Sequence, residues 1–185
     1  MRVLLIGGTS NVGKSTAAET LAARLGYTYV STDRLGRHPG RPWADVPAHV
    51  VEHYRSLTTS QLFDALLAHY ERMWPRIEDL ITAHASAGPG LVLEGSGVWP
   101  AYAQHLTTPY TSAVWLTAPE QVLTTRIHTT SGYNALPTDR RHLVDKFLAR
   151  STLYQSRMLD QLGLLAHIST PATPTQILDA ARPIS

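Results

Sequence analysis

The chain has no cysteine and only two phenylalanines among its 185 residues. Without cysteine there is neither a disulfide framework nor a thiolate metal site, and a cytoplasmic protein is the default expectation. Long apolar runs are missing too. The first, residues 3–6, stops at Gly7-Gly8, too early for a signal peptide, and no later stretch approaches the length of a membrane span. No membrane partner is therefore expected. Charge is scarce: charged residues make up 16% of the chain and the formal net charge is +2. Nothing in those totals calls for a nucleic-acid partner. The four tryptophans lie outside any basic-aromatic cluster, so they read as core or pocket walls rather than base-stacking platforms. Internal repeats, low-complexity tracts and dividing linkers are also absent. The chain reads as a single domain over residues 1–185, with an apolar share of 43% that can fill a core.

What is present is an alternation of short apolar runs and helical patterns. Val-Leu-Leu-Ile at 3–6 reads as a buried parallel strand. Ala18, Leu21, Ala22 and Leu25 then recur at helical spacing after Lys14, with Gly26 as a stop. Residues 27–30 read as a second strand, followed to about Pro47 by a loop rich in Pro, Gly and Arg. Val50, Val51, Tyr54 and Leu57 mark one helix. Leu62, Leu66, Tyr70, Met73, Ile77, Leu80 and Ile81 mark a longer one, expected to kink at Pro75. Residues 91–93 and 113–116 read as third and fourth strands, and Pro119 opens a helix. A long helix at 138–162 carries Leu143, Phe147, Tyr154 and Met158 on one side, before a fifth strand at 164–168 and a closing helix at 174–181. Such alternation predicts an α/β fold with a parallel sheet covered on both faces.

Gly8-Thr9-Ser10-Asn11-Val12-Gly13-Lys14-Ser15 matches G-x-x-x-x-G-K-[ST], the P-loop pattern, at every position. It follows a predicted strand and opens a predicted helix, the context the motif requires. Glycines let the backbone turn tightly, so that consecutive N–H groups point inward at phosphate oxygens. The helix start adds its positive dipole end. Lys14 can reach the β- and γ-phosphates, and the Ser15 hydroxyl can ligate Mg²⁺.

With its loop after the second strand, the chain resembles the small P-loop kinases, a group that includes nucleoside monophosphate, shikimate and gluconate kinases and chloramphenicol phosphotransferase. The stretch from Gly7 to Thr16 looks most like the loop of 2-phosphoglycerate kinase-type proteins. The resemblance implies a three-layer α/β/α sandwich with a five-stranded parallel sheet in the order 2-3-1-4-5. It also implies an acceptor-binding region at about 33–86 and a mobile lid at about 129–141. ATP and Mg²⁺ would be bound through Gly8 to Thr16.

In such kinases an acidic residue often follows the second strand, near the acceptor hydroxyl, and Asp33 stands there. Glu94, after the third strand, stands where many P-loop proteins place a Walker B acid; it could serve Mg²⁺ or the acceptor. Arg34 and Arg37, with Arg41 behind them, would suit an anionic acceptor if their loop faces the site. Arg126 matches a nucleotide-contacting position, Arg140 and Arg141 the lid arginines that close over the phosphoryl group, and residues 169–174 the loop against the adenine. Lys146, Arg150 and Arg157 form a stripe beside the apolar one on the long helix and read as a solvated edge. His49, Glu52 and His53 fit H-x-x-E-H, a zinc-peptidase pattern, though no third ligand announces itself.

The expected activity is transfer of the γ-phosphoryl group of Mg-ATP to a hydroxyl of a small metabolite, an anionic one if the arginine loop faces the site. Two other readings stay open: a nucleoside or nucleotide kinase, and a nucleotide-dependent switch ATPase. The sequence leaves the oligomeric state open.

Overall fold

The computed structural model describes residues 1–36, 38–43 and 46–184. A six-stranded sheet has the path β2-β3-β1-β4-β5, with a short sixth strand off β4. The strands are β1 (Val3–Gly8), β2 (Thr28–Ser31), β3 (Leu91–Glu94), β4 (Thr111–Thr117), β5 (His167–Ser169) and β6 (Arg182–Pro183). The helices are α1 (Lys14–Leu25), α2 (Ala48–Ser56), α3 (Thr59–Ser86), α4 (Pro100–Ala103), α5 (Glu120–Ser131), α6 (Thr138–Leu162) and α7 (Pro174–Ala180). All pairings along the path are parallel, in the expected order.

Alternation along the central strands explains the three layers. Side chains two residues apart share a face. Val3 and Leu5, Leu91 and Leu93, and Ala113 and Trp115 pack under α3, α4 and α6. Leu4 and Ile6, Val92, and Val114 and Leu116 pack under α1 and α7 on the other face. Every one of these residues is buried, which is why the strands read as continuous apolar runs instead of alternating ones. A third cluster, with Tyr54, Ile127, Leu143 and Phe147, joins α2, α5 and α6.

α3 continues through Pro75, which lies on the exposed side together with Glu71, so water can take the carbonyl that the missing N–H leaves free. Three details depart from the sequence reading. Gly163 turns the chain sharply after α6, leaving Leu164 fully exposed, so the fifth strand begins only at His167. β6 pairs antiparallel with β4 through Ala113 and Ser112, an addition too short to leave a periodic signal. The irregular part of the lid segment is short, because α5 continues to Ser131 and α6 starts at Thr138. Between them lie Gly132 and one 3₁₀ turn, Tyr133–Ala135. No helix among the described residues is long and apolar enough to cross a membrane.

Candidate functional site

Parallel register gathers the site. Ile6 of β1 and Ser31 of β2 both lie beside Glu94 of β3, so β2 and β3 end in one row while β1 runs two residues further, to Gly8. Beyond that row the chain enters, in turn, the P-loop, the 3₁₀ turn Thr32–Arg34 and the Gly95-Ser96-Gly97 turn. Open α/β sheets bind ligands at this carboxyl edge. A cleft of about 760 Å³ opens there, lined by residues from Ser10 to Ala17, by Asp33, Glu94 and Arg126, and by Thr170 to Ala172.

The P-loop has the backbone its chemistry requires. Gly13, at φ 100°, precedes α1 in the left-handed region, and Asn11, at φ 64°, is a residue type that tolerates it. No side chain caps α1, so its first N–H groups remain available to an anion. The Lys14 side chain is buried, and its Nζ donates to the Thr9 carbonyl at 2.7 Å, across the mouth of the loop. Burial pulls the Lys14 pKa below its usual value, against the opposing pull of Glu94 and Asp33. Thr9 in turn donates to the Ser151 carbonyl at 2.9 Å, pinning the loop to α6.

Glu94 is 2% exposed and accepts hydrogen bonds at one carboxylate oxygen from Ser15 Oγ and from the Tyr29 hydroxyl, both at 3.1 Å. Burial, aided by Glu94, pushes the Tyr29 phenol up to about 12, so it stays a donor. A carboxylate and a hydroxyl held together at a P-loop are hard oxygen donors suited to Mg²⁺. Gly95 is required beside them: its φ is 146°, and a side chain there would collide with Thr32.

The other expected residues divide. Arg126 lies against the loop, with Nη1 donating to the Asn11 carbonyl at 3.2 Å and to Thr170 Oγ1 at 3.4 Å. Asp33 and Arg41 line the cleft. Arg34 turns aside, its guanidinium 5.8 Å from the centre of the Tyr29 ring. Arg37 lies outside the described residues. Arg140 and Arg141 are not among the lining residues. Arg141 donates to the Leu136 and Asn134 carbonyls at 2.8 Å, bracing the turn before α6. Arg140 borders a separate, shallower hollow with His49 and Glu52. The histidine pattern does not assemble a zinc site: no cluster of three metal-binding side chains occurs among the described residues.

One member of the supposed solvated stripe is placed otherwise. Arg150 is 3% exposed and lines the cleft, while Lys146 is spent on the Arg55 and Leu57 carbonyls. The signal was available, since residue 150 falls between Phe147 and Tyr154 on the apolar face of α6. His38, His69 and Tyr70 also line the cleft, and no sequence motif singled them out.

His38 supplies a test of this packing. Burial, reinforced by Arg150 and by His69 and His53, lowers its pKa to about 3. The unfolded chain then binds a proton near pH 6.5 that the folded chain refuses until about pH 3. Stability is therefore full above that upper value and falls as the pH drops through the window. Between pH 7 and pH 5 the expected loss is roughly 2 kcal/mol. Denaturant titrations at the two pH values check it, with His38→Gln expected to flatten the difference.

No protein-family model matches the chain. A cytidylate kinase of Chlorobaculum tepidum is 34% identical over 79 residues, which are 43% of this chain and only 26% of that protein. A sugar kinase from Janibacter sp. HTCC2649 superposes with a TM-score of 0.55 at 18% identity, covering 97% of this chain and 91% of its own. A shikimate kinase from Aquifex aeolicus gives 0.52 at 13% identity, with 96% and 92% covered. The fold is that of the small P-loop kinases. Deoxyadenosine kinase from M. mycoides shares it as well, at a TM-score of 0.51 and 12% identity. The part of the cleft away from the P-loop is walled by Leu66, His69, Tyr70 and Met73 of α3 and by Phe147 and Arg150 of α6.

Proposed function

We propose that the protein transfers the γ-phosphoryl group of Mg-ATP to a hydroxyl of a small molecule. The observation that carries this reading is that one cleft is lined by the P-loop with Lys14, by Asp33, and by further residues of α3 and α6 beyond them. A nucleotide switch has no use for the second half of that cleft.

The residues divide the work as follows. The P-loop N–H groups and Lys14 hold the β- and γ-phosphates, and Arg126 steadies the loop through the Asn11 carbonyl. Ser15 and Glu94 would hold Mg²⁺, which would supply positive charge to neutralise the phosphates. Asp33 orients the acceptor hydroxyl and takes its proton as the new P–O bond forms and the bond to ADP breaks. Arg140 and Arg141 would join only if the segment before α6 swings over the cleft.

The test is incubation of the protein and Mg-ATP with a metabolite extract, read by mass spectrometry for new phosphorylated species. A product that forms with the wild type and not with Lys14→Met supports the kinase and names the acceptor. ATP hydrolysis without any product would favour a switch ATPase. A product confined to nucleosides or their monophosphates would favour a nucleotide kinase, the reading to which the cytidylate kinase stretch inclines.

A further inference from the structure

Tyr29 stands inside β2, where packing alone would accept any apolar ring, but its hydroxyl reaches the phosphate end of the cleft. Register explains how. Tyr29 pairs with Val92 and Ser31 pairs with Glu94, so Tyr29 lies two residues back from Glu94 on the neighbouring strand. The period of two puts Tyr29, Val92 and Glu94 on one face of the sheet, the face that α1 covers. Spanning that offset takes a long side chain with a donor at its tip. The Tyr29 hydroxyl donates to Glu94 Oε1 at 3.1 Å.

Ser15 Oγ, at the start of α1, donates to the same oxygen, also at 3.1 Å. Two donors that converge on one carboxylate oxygen from a strand and a helix fix both the place and the rotation of the group. Glu94 Oε2 accepts no hydrogen bond from the described residues, and Glu94 lines the cleft. The phenol ring is held in turn. One side packs on the apolar cluster under α1, and the Arg34 guanidinium lies 5.8 Å from its centre, close enough for attraction to a ring face. Arg34 belongs to the 3₁₀ turn that carries Asp33, so Tyr29 ties that turn to the Glu94 carboxylate. A phenylalanine would fill the same space against the sheet. What it would lack is the second grip on Oε1.

We propose that Tyr29 is a positioning residue for the metal: together with Ser15 it holds Glu94 by Oε1 and so leaves Oε2 free to serve Mg²⁺. The assignment rests on the reading of Ser15 and Glu94 as the Mg²⁺ site, and it is tested by binding, without turnover.

ADP is titrated by calorimetry into the wild type and into Tyr29→Phe, each in excess Mg²⁺ and again in EDTA, with a melting curve for each nucleotide-free protein. The wild type is expected to bind ADP more tightly with Mg²⁺ than without it. Tyr29→Phe should weaken binding in Mg²⁺ by about tenfold. Its affinity in EDTA should be unchanged, because the phosphates are then held by the P-loop N–H groups and Lys14, none of which it alters. Glu94→Gln should lose the Mg²⁺ effect as well, and Tyr29→Phe added to it should lose nothing further. A Tyr29→Phe protein that keeps the full Mg²⁺ effect overturns the proposal, whether or not its melting temperature falls, since the hydroxyl would then only solvate a buried carboxylate. Equal weakening with and without Mg²⁺ overturns it too, as does a further loss of the Mg²⁺ effect in the Glu94→Gln background. Wild type that binds ADP equally well in Mg²⁺ and in EDTA removes the metal assignment and leaves nucleotide binding standing. Failure to bind ADP under either condition is a different result, and would remove the kinase reading itself.

Discussion

Lys14→Met is expected to lower phosphoryl transfer by about 10²–10³-fold while leaving the fold intact. The methionine keeps the length of the apolar stem and deletes only the ammonium. That ammonium is buried, spans the loop to the Thr9 carbonyl, and is depressed in pKa chiefly by burial. A charge held there by the loop is preorganised: no reorganisation is needed when negative charge builds on the transferred group. Removing a buried ammonium that already costs desolvation should, if anything, leave thermal stability unchanged or slightly raised. The measurement is kcat by coupled ADP release alongside a melting curve. An unaltered melting temperature with a collapsed rate places Lys14 in the chemistry. A parallel fall in both would make it a structural brace.

How much of this was legible in the sequence follows from where the physical signal was local. The central strands declared themselves because burial on both faces leaves unbroken apolar runs such as Val3 to Ile6. The P-loop did so because its glycines, lysine and serine answer to one backbone geometry. The sheet order came from resemblance, since β2 and β3 pair across 59 intervening residues and no local pattern encodes the pairing. Arg150 was misplaced as a surface charge, because a long basic side chain on a helix is solvated far more often than buried. Only the packing of α6 against α2 and α3 turns it inward. His38 sits in a loop without periodicity, so its role depends on a tertiary hydrogen bond to Gly40 and on neighbours up to 112 residues away. The fifth strand was drawn too early because Leu164 and Leu165 look like a strand in any hydrophobicity pattern. The left-handed turn at Gly163 is what exposes Leu164.

Asp33→Asn is the second large effect expected, a drop in kcat of about 10²–10⁴-fold with little change in the KM for ATP. Asp33 follows Ser31, the residue that shares a row with Glu94 and Ile6, so its position is set by sheet register and not by a flexible loop alone. It lies in a 3₁₀ turn, where an aspartate could serve merely as a cap. Its carboxylate, however, makes no hydrogen bond to the described residues, and it lines the cleft with Lys14. Asparagine preserves size and hydrogen bonding but cannot accept the hydroxyl proton, so the two roles separate cleanly. A capping role predicts a lower melting temperature and a nearly normal kcat. A role in orienting and deprotonating the acceptor predicts the reverse, with the nucleotide still binding at full strength because the P-loop, Ser15 and Glu94 are untouched.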